Sequence, residues 1–254
     1  MLGIITDYGY KDVYAGILRI VAKSTCPSAE LVDVTHGIDP FNVLSGAVAT
    51  LVTLPHMPPS SVLVVVVDPG VGSSREPVVA EIGDWYVVAP NNGVLHLAAE
   101  EYGLKKIYRI TKKVSNYESA TFHGRDIFVP AGALIECGRK PSELGEPTTL
   151  VTLNMALTRE VLEGVVKTTV IYIDHFGNVM TWIKDNPFRL GTRILINRSY
   201  EAKVVRSFSD VNPGELAVYV NSFGYLEIAK YMGSAADELR LNVGERVILE
   251  AKDS

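Results

Sequence analysis

The sequence is short of several things, and each shortage narrows the field. Cysteine occurs twice in 254 residues, as Cys26 and Cys137. Two cysteines exclude a disulfide framework and a cysteine-rich metal site, so a reducing cytoplasm is the expected setting. No apolar stretch approaches the roughly 20 residues that span a bilayer, and no membrane partner is expected. The opening Met1-Leu2-Gly3-Ile4-Ile5 carries no basic region, which argues against a secretory signal. Positive charge is not in excess: 24 Lys and Arg stand against 29 Asp and Glu, a net charge of −5. That balance, with no basic cluster, argues against a nucleic-acid partner. The five histidines, His36, His56, His96, His123 and His175, are dispersed. No His-x-x-x-His or Cys-x-x-Cys spacing exists, so neither a metal nor another cofactor is expected. A Gly-x-Ser-x-Gly nucleophile elbow is also absent.

What is present is ordinary globular material, 47% hydrophobic and 21% charged, with no repeat or biased segment. The first half alternates strand and helix patterns. Strands are expected at 2–6, 31–34, 62–67, 78–82, 85–89 and 106–110. Gly83-Asp84 marks a hairpin between two of them. Helices are expected at 13–23, 41–54, 93–102 and 126–138. The unbroken run Val62 to Val67 fits a strand buried on both faces. Residues 139–149 hold two prolines and several charges and read as a surface connection. Beyond Gly164 helix patterns give way to short β-branched runs at 165–173, 179–183, 192–196, 202–205, 216–220, 225–229 and 246–249. The pattern predicts an α/β layered domain over 1–158 and an all-β barrel over 159–254.

Four polar segments stand where strands end or helices begin, where α/β sheets bind ligands. In Thr6-Asp7-Tyr8-Gly9-Tyr10-Lys11-Asp12, Asp7 follows a buried strand and can bind a ribose diol; Asp7 or Asp12 can equally cap a helix. In Asp68-Pro69-Gly70-Val71-Gly72-Ser73-Ser74-Arg75, the glycines permit close approach and unusual backbone angles. Asp68 and Arg75 can meet across that turn, for chemistry or simply to close it. Thr121-Phe122-His123-Gly124-Arg125-Asp126 offers a histidine suited to proton exchange near neutral pH, against a plain helix start capped by Asp126. Asp174-His175-Phe176-Gly177-Asn178 is a β-turn whose Asn also carries the donors and acceptor that suit an adenine edge. Asn221-Ser222-Phe223-Gly224 is a similar turn, with Glu227 shortly beyond it.

Taken in order, these segments, with Asp33-Val34-Thr35-His36 and Pro90-Asn91-Asn92-Gly93, resemble the S-adenosylmethionine hydrolase family, also called S-adenosylmethionine hydroxide adenosyltransferases. These are relatives of the fluorinases and chlorinases, and the resemblance covers essentially the whole chain. It implies an N-terminal α/β domain, a C-terminal barrel, and a homotrimer with active sites between subunits. The implied reaction converts S-adenosylmethionine and water to adenosine and L-methionine. The resemblance makes Asp68, Arg75 and His123 the catalytic set, Asp7 the ribose acid and Asn178 the adenine contact. It puts Asp12, Asp174 and Ser222 on the methionine side and Glu227 in the base-binding region. The halogenases have Tyr at the positions of Asp68 and His123, and fluorinase has Ser at Gly124. Fluorinase also has a Trp at Phe41 and an extra loop after Arg75. Hydrolysis therefore fits better than halide transfer.

The expected chemistry is in-line attack of water on C5′, with methionine leaving as a neutral thioether. A cationic sulfonium and a hydroxide-like nucleophile neutralise each other in the transition state, which a dry, prearranged site favours. Arg75 stays protonated and holds the water; Asp68 or His123 accepts its proton. The competing expectations are a halide-dependent transferase and a non-catalytic adenosine or S-adenosylmethionine sensor.

Overall fold

The computed structural model describes residues 1–252, and it divides into two compact units between Asn154 and Met155.

The first unit is built on a seven-stranded mixed sheet. Its elements run β1 (Leu2–Thr6), α1 (Tyr14–Thr25), β2 (Leu31–Thr35), α2 (Val43–Thr53), β3 (Val62–Val66), β4 (Pro77–Ile82), β5 (Trp85–Pro90), α3 (His96–Tyr102), β6 (Leu104–Ile110), α4 (Val129–Glu136), α5 (Pro141–Leu144) and β7 (Gly145–Pro147). The strand order is β2-β1-β3-β5-β4-β6-β7. The first four are parallel, and β4, β6 and β7 join antiparallel. Every residue of β1 and β3 is buried, as their unbroken apolar runs require. Side chains alternate between the faces. Leu2, Ile4, Val62, Val64 and Val66 meet Leu18 and Val21 of α1 and Val129 and Ala133 of α4. The other face takes α2, where a Cβ on Gly46 would stand 3.0 Å from Val67. At Gly132 of α4 a Cβ would come within 2.5 Å of Val64, so this helix approaches the sheet as only glycine allows.

Several expectations need correcting here. Residues 139–149 are more than a surface connection: α5 buries Pro141 and Leu144, and β7 extends the sheet. The helix expected from Phe41 starts at Val43, because Phe41 sits in a left-handed turn (φ +67°) and Asn42 caps through Ser45. The helix expected from Asp126 is α4, preceded by one π-helical turn at Gly124–Phe128. The two cysteines are bridged. Cys26 at the end of α1 and Cys137 at the end of α4 form a disulfide 111 residues apart in sequence. No spacing rule pairs two such distant residues; helix packing does.

The second unit begins with β8 (Arg159–Leu162) and β9 (Val165–Ile173) and continues through β10 (Val179–Lys184), β11 (Arg193–Ile196), β12 (Tyr200–Val204), β13 (Leu216–Val220), β14 (Tyr225–Lys230), α6 (Ala235–Leu239) and β15 (Arg246–Ala251). The order β10-β14-β13-β12-β11-β15-β9 closes through a β9–β10 pairing into a seven-stranded barrel, and β8 adds to β9 outside the ring. Val170, Val179, Ile194, Val218, Ile228 and Leu249 fill it. β8 and α6 were not expected. β8 is exposed along its whole length and lacks a buried face to read. α6 has only five residues, and Ala235, Ala236 and Leu239 plug the barrel core. The layered α/β domain and the β-barrel are both as expected.

Candidate active site

The β3 strand ends at Val66, and Asp68 follows two residues later. The chain then turns tightly, with Ser73 N–H and Oγ–H both donating to the Gly70 carbonyl at 3.0 and 2.6 Å. Gly72 has φ +78°, and a Cβ there would stand 2.7 Å from the Ala120 carbonyl. Any other residue would force this loop away from the 115–122 segment. The close approach brings Arg75 to both partners. Its Nε lies 2.9 Å from each Asp68 carboxylate oxygen and its Nη2 2.5 Å from Oδ2. The same Nη2 lies 2.6 Å from His123 Nδ1. Only 5% of the Asp68 side chain and 9% of the Arg75 side chain remain exposed, and the guanidinium rests over the buried Phe128 ring.

Because guanidinium donates and never accepts, His123 Nδ1 must accept here, which leaves the proton on Nε2. Burial pushes the imidazole below its ordinary value of 6.5, and Arg75 adds to the shift; Asp68, Asp126 and the Ser119 backbone oppose it. His123 is therefore neutral at pH 7. Asp126 does not cap the helix. It is buried and accepts from Arg125 Nε at 2.6 Å and Ser119 Oγ at 2.7 Å. Arg125 in turn lies over Tyr117 and Phe122, which ties the His123 segment down.

Asp7 is held beside this set. Its Oδ2 accepts the Phe41 amide at 2.9 Å. Burial raises its pKa, the Phe41 bond opposes this, and Asp68 adds a smaller upward push. The left-handed Phe41 turn thus aims Asp7 and leaves the Phe41 ring 70% exposed. Asp12 stands exposed on the turn before α1, outside this cluster. Tyr8 was not anticipated from sequence. Its hydroxyl would lie 2.6 Å from a Cβ on Gly124, and burial with Asp7 and Asp68 pushes its pKa up. An open groove of about 650 Å³ lined by Val21, Ser24, Thr25 and residues 113–117 contains none of Asp7, Tyr8, Asp68, Arg75 and His123, but shares Tyr117 with the packing around Arg125.

The second unit holds a separate polar cluster. Asn178 Nδ2 donates to Asp174 Oδ2 at 2.8 Å, and Asp174 Oδ1 accepts the amides of Phe176 and Asn178. Asp174 thus shapes the turn and holds the Asn178 side chain through its amide nitrogen. Glu227 is buried, accepts from the Tyr219 hydroxyl, and accepts from Asn221 Nδ2 at 2.8 Å. Burial pushes its carboxyl up against those bonds, and Asp174 pushes it further. Ser222 is exposed on the turn that follows β13. Tyr219 could not be picked out in sequence because strand register, Tyr219 opposite Glu227, brings it there, whereas Asn221 belongs to the polar turn already noted. Phe208 was also missed. It is half exposed on a 3₁₀ turn with ring centroids 6.2 Å from Tyr219 and 6.1 Å from Tyr231, an aromatic face beside polar groups.

Family models for the SAM hydroxide adenosyltransferase N-terminal and C-terminal domains match residues 2–145 and 168–248. The chain belongs to this family. Among similar proteins is the (R)-S-adenosyl-L-methionine hydrolase of Salinispora tropica, 36% identical over 98% of this chain and 97% of that one. A crystal structure of an uncharacterized conserved protein from Thermotoga maritima is 37% identical, with a TM-score of 0.91 over 98% of this chain and 99% of that one. The fluorinase of an Actinoplanes species is more distant, 25% identical over 96% of this chain and 95% of that one. Among the described residues, no group of three or more His, Cys, Asp or Glu side chains is placed to hold a metal ion.

Proposed function

We propose that this protein hydrolyses S-adenosyl-L-methionine at ribose C5′, giving adenosine and L-methionine. The observation that carries the reading is Arg75 donating to both Asp68 and His123 in one nearly buried contact. This is a charged, water-polarising group of the kind needed to activate a nucleophile, and a pure adenosine sensor has no use for it. The curated hydrolases that match over nearly the full length support the same substrate.

Water attacks C5′, the C5′–sulfur bond breaks, and its electron pair leaves on methionine. The water's surplus proton must then be taken up. His123 is unsuited, since its one lone pair is committed to Arg75. Asp68 retains a free lone pair on Oδ1 and accepts the proton. Arg75 holds the oxygen and steadies its developing charge, and His123 fixes the guanidinium. Asp7 binds the ribose diol through Oδ1, its Oδ2 being taken by Phe41. Asn178 and Glu227 meet the adenine, with Phe208 offering a stacking face. Asp12, Asp174 and Ser222 serve the methionine side, Asp174 through its turn.

The active form is a homotrimer that needs no metal. Exposed Val13, Tyr14, Ile20, Val32 and Val34 on α1, β2 and the turn before α1 supply apolar surface for such contacts. The enzyme is placed in the cytoplasm; the Cys26–Cys137 bridge weighs against this, since reducing compartments keep most thiols free. Sedimentation of the purified protein tests the trimer. Incubation with S-adenosyl-L-methionine in H₂¹⁸O, with and without chloride and a chelator, tests the reaction. Chloride-independent adenosine carrying ¹⁸O at the 5′ oxygen is expected. A 5′-chloro product would favour halide transfer, and binding without turnover would favour the sensor.

A further inference from the structure

The Asp33-Val34-Thr35-His36 motif has no task in the reading above, yet its two polar ends are locked into the turn that carries Asp7. The side chains of His36 and Thr6 are wholly buried. His36 Nδ1 lies 2.8 Å from Thr6 Oγ1, and Nε2 lies 3.4 Å from Asp33 Oδ1. Both Nε2 and Oδ1 are buried without a hydrogen bond among the described residues, their 3.4 Å contact being within ion-pair distance only. The other Asp33 oxygen accepts from Arg19 at 3.0 Å. Thr6 Oγ1 accepts the Tyr8 amide at 3.1 Å. Proton directions follow from this chain. With Nε2 facing a carboxylate oxygen, the tautomer protonated at Nε2 is the compatible one, and in it the Thr6 hydroxyl donates to Nδ1. The pairing of β1 with β2 slips here: Ile4 faces Asp33 and Ile5 faces Thr35, so Val34 is skipped. Such bulges re-aim side chains beside active sites.

Hydroxyl, imidazole and carboxylate stand in the order of a nucleophilic triad. Thr6 is no nucleophile, because its oxygen is wholly buried and already bound to an amide. What the chain does hold is the turn. The His36 carbonyl accepts the Gly9 amide at 2.7 Å, and the Thr6 carbonyl accepts the Ile38 amide at 3.3 Å. His36 therefore grips both ends of Thr6–Gly9, with the edge of the Tyr10 ring packed on it at 5.1 Å.

We propose that His36 is a positioning residue that aims the Asp7 carboxylate and the Tyr8 ring through Thr6, with Asp33 fixing the imidazole tautomer. The role as stated for substrate binding rests on Asp7 being the ribose acid. The test compares His36→Leu, His36→Asn and His36→Gln. Leucine removes both ring contacts, asparagine can still meet Thr6, and glutamine can still meet Asp33. With folding verified by circular dichroism, H36L is expected to raise KM for S-adenosylmethionine and Kd for adenosine about tenfold or more, with kcat within about threefold. H36N should recover most of that loss and H36Q little. Should H36L not fold, Thr6→Val against Thr6→Ser makes the same comparison, with loss in T6V and retention in T6S. Amide hydrogen exchange supplies a readout independent of substrate: the Tyr8 and Gly9 amides should exchange faster in H36L or T6V while Val64–Val66 stay protected. Unchanged exchange and unchanged KM in a folded variant would overturn the proposal. If exchange quickens but Asp7→Asn leaves adenosine affinity unchanged, the ribose assignment fails and the positioning role stands.

Discussion

Two buried carboxylates in this protein are treated in opposite ways. Asp68 of the first unit is clasped by a guanidinium through three contacts at 2.9, 2.9 and 2.5 Å. Glu227 of the second unit is clasped by neutral partners, a phenol and an amide. The Asp68 carboxylate thus meets a full positive charge. Neutral donors only partly offset desolvation, so the Glu227 carboxyl is pushed up toward its protonated form. A protonated carboxyl can donate as well as accept, which suits the edge of a neutral purine. One carboxylate faces a cation, the other only neutral donors.

The largest expected break in this comparison is Arg75→Ala. It leaves the Asp68 carboxylate buried without its cation and removes the group proposed to hold the water. kcat should fall about 10²–10³-fold, in the range seen when one charge-stabilising donor is lost. Steady-state kinetics on the folded variant checks this.

Reduction or removal of the Cys26–Cys137 bridge comes next. Closing a loop of this length is worth about 5 kcal/mol in the chain-entropy account. The double serine variant should melt at a clearly lower temperature while kcat at 25 °C stays close to the parent. A calorimetric scan beside an activity assay separates the two.

Acid should then separate the two sites. His123 has its pKa lowered in the folded protein, so the unfolded chain binds the extra proton first as pH falls below 6.5. The stability it contributes is present above 6.5 and is lost as pH falls from there toward its folded value. Protonation also breaks the Nδ1 contact to Arg75, so the acid limb attributable to His123 should lie below 6.5. Glu227 has the opposite sign. Its raised folded pKa costs stability as pH rises above 4.5, the unfolded value. A pH–stability series on His123→Gln and Glu227→Gln should lose the first trend in one and the second in the other.

Much of the first site was legible in sequence because it lies in short segments at strand ends. Asp68 and Arg75 are seven residues apart across a glycine turn, and His123 sits one residue before Gly124 at the π turn. Tyr8 was not legible, since its importance comes from standing over Gly124, far along the chain. Tyr219 depends on strand register in the barrel, which a single sequence does not specify. The disulfide depends on how α1 and α4 pack, and β7 and β8 on pairing to a neighbour rather than on any pattern of their own.

The smallest expected effect sharpens the comparison at Gly124. Gly124→Ala places a methyl 2.6 Å from the Tyr8 hydroxyl, at the far end of a side chain that can give way. Turnover should drop by a few-fold to about tenfold, and Tyr8→Phe in the same chain should restore part of it. A double-mutant cycle on kcat reads the coupling.

The central claim is that Asp68 receives the proton while His123 only holds Arg75. The direct measurement is the single-turnover rate of adenosine formation in Asp68→Asn against His123→Gln at matched substrate saturation. Asp68→Asn should be slowed about 10²–10⁴-fold, the range of lost general-base help, and His123→Gln by clearly less. A His123→Gln enzyme slowed as much as Asp68→Asn, or more, would contradict the assignment and return the proton to the imidazole.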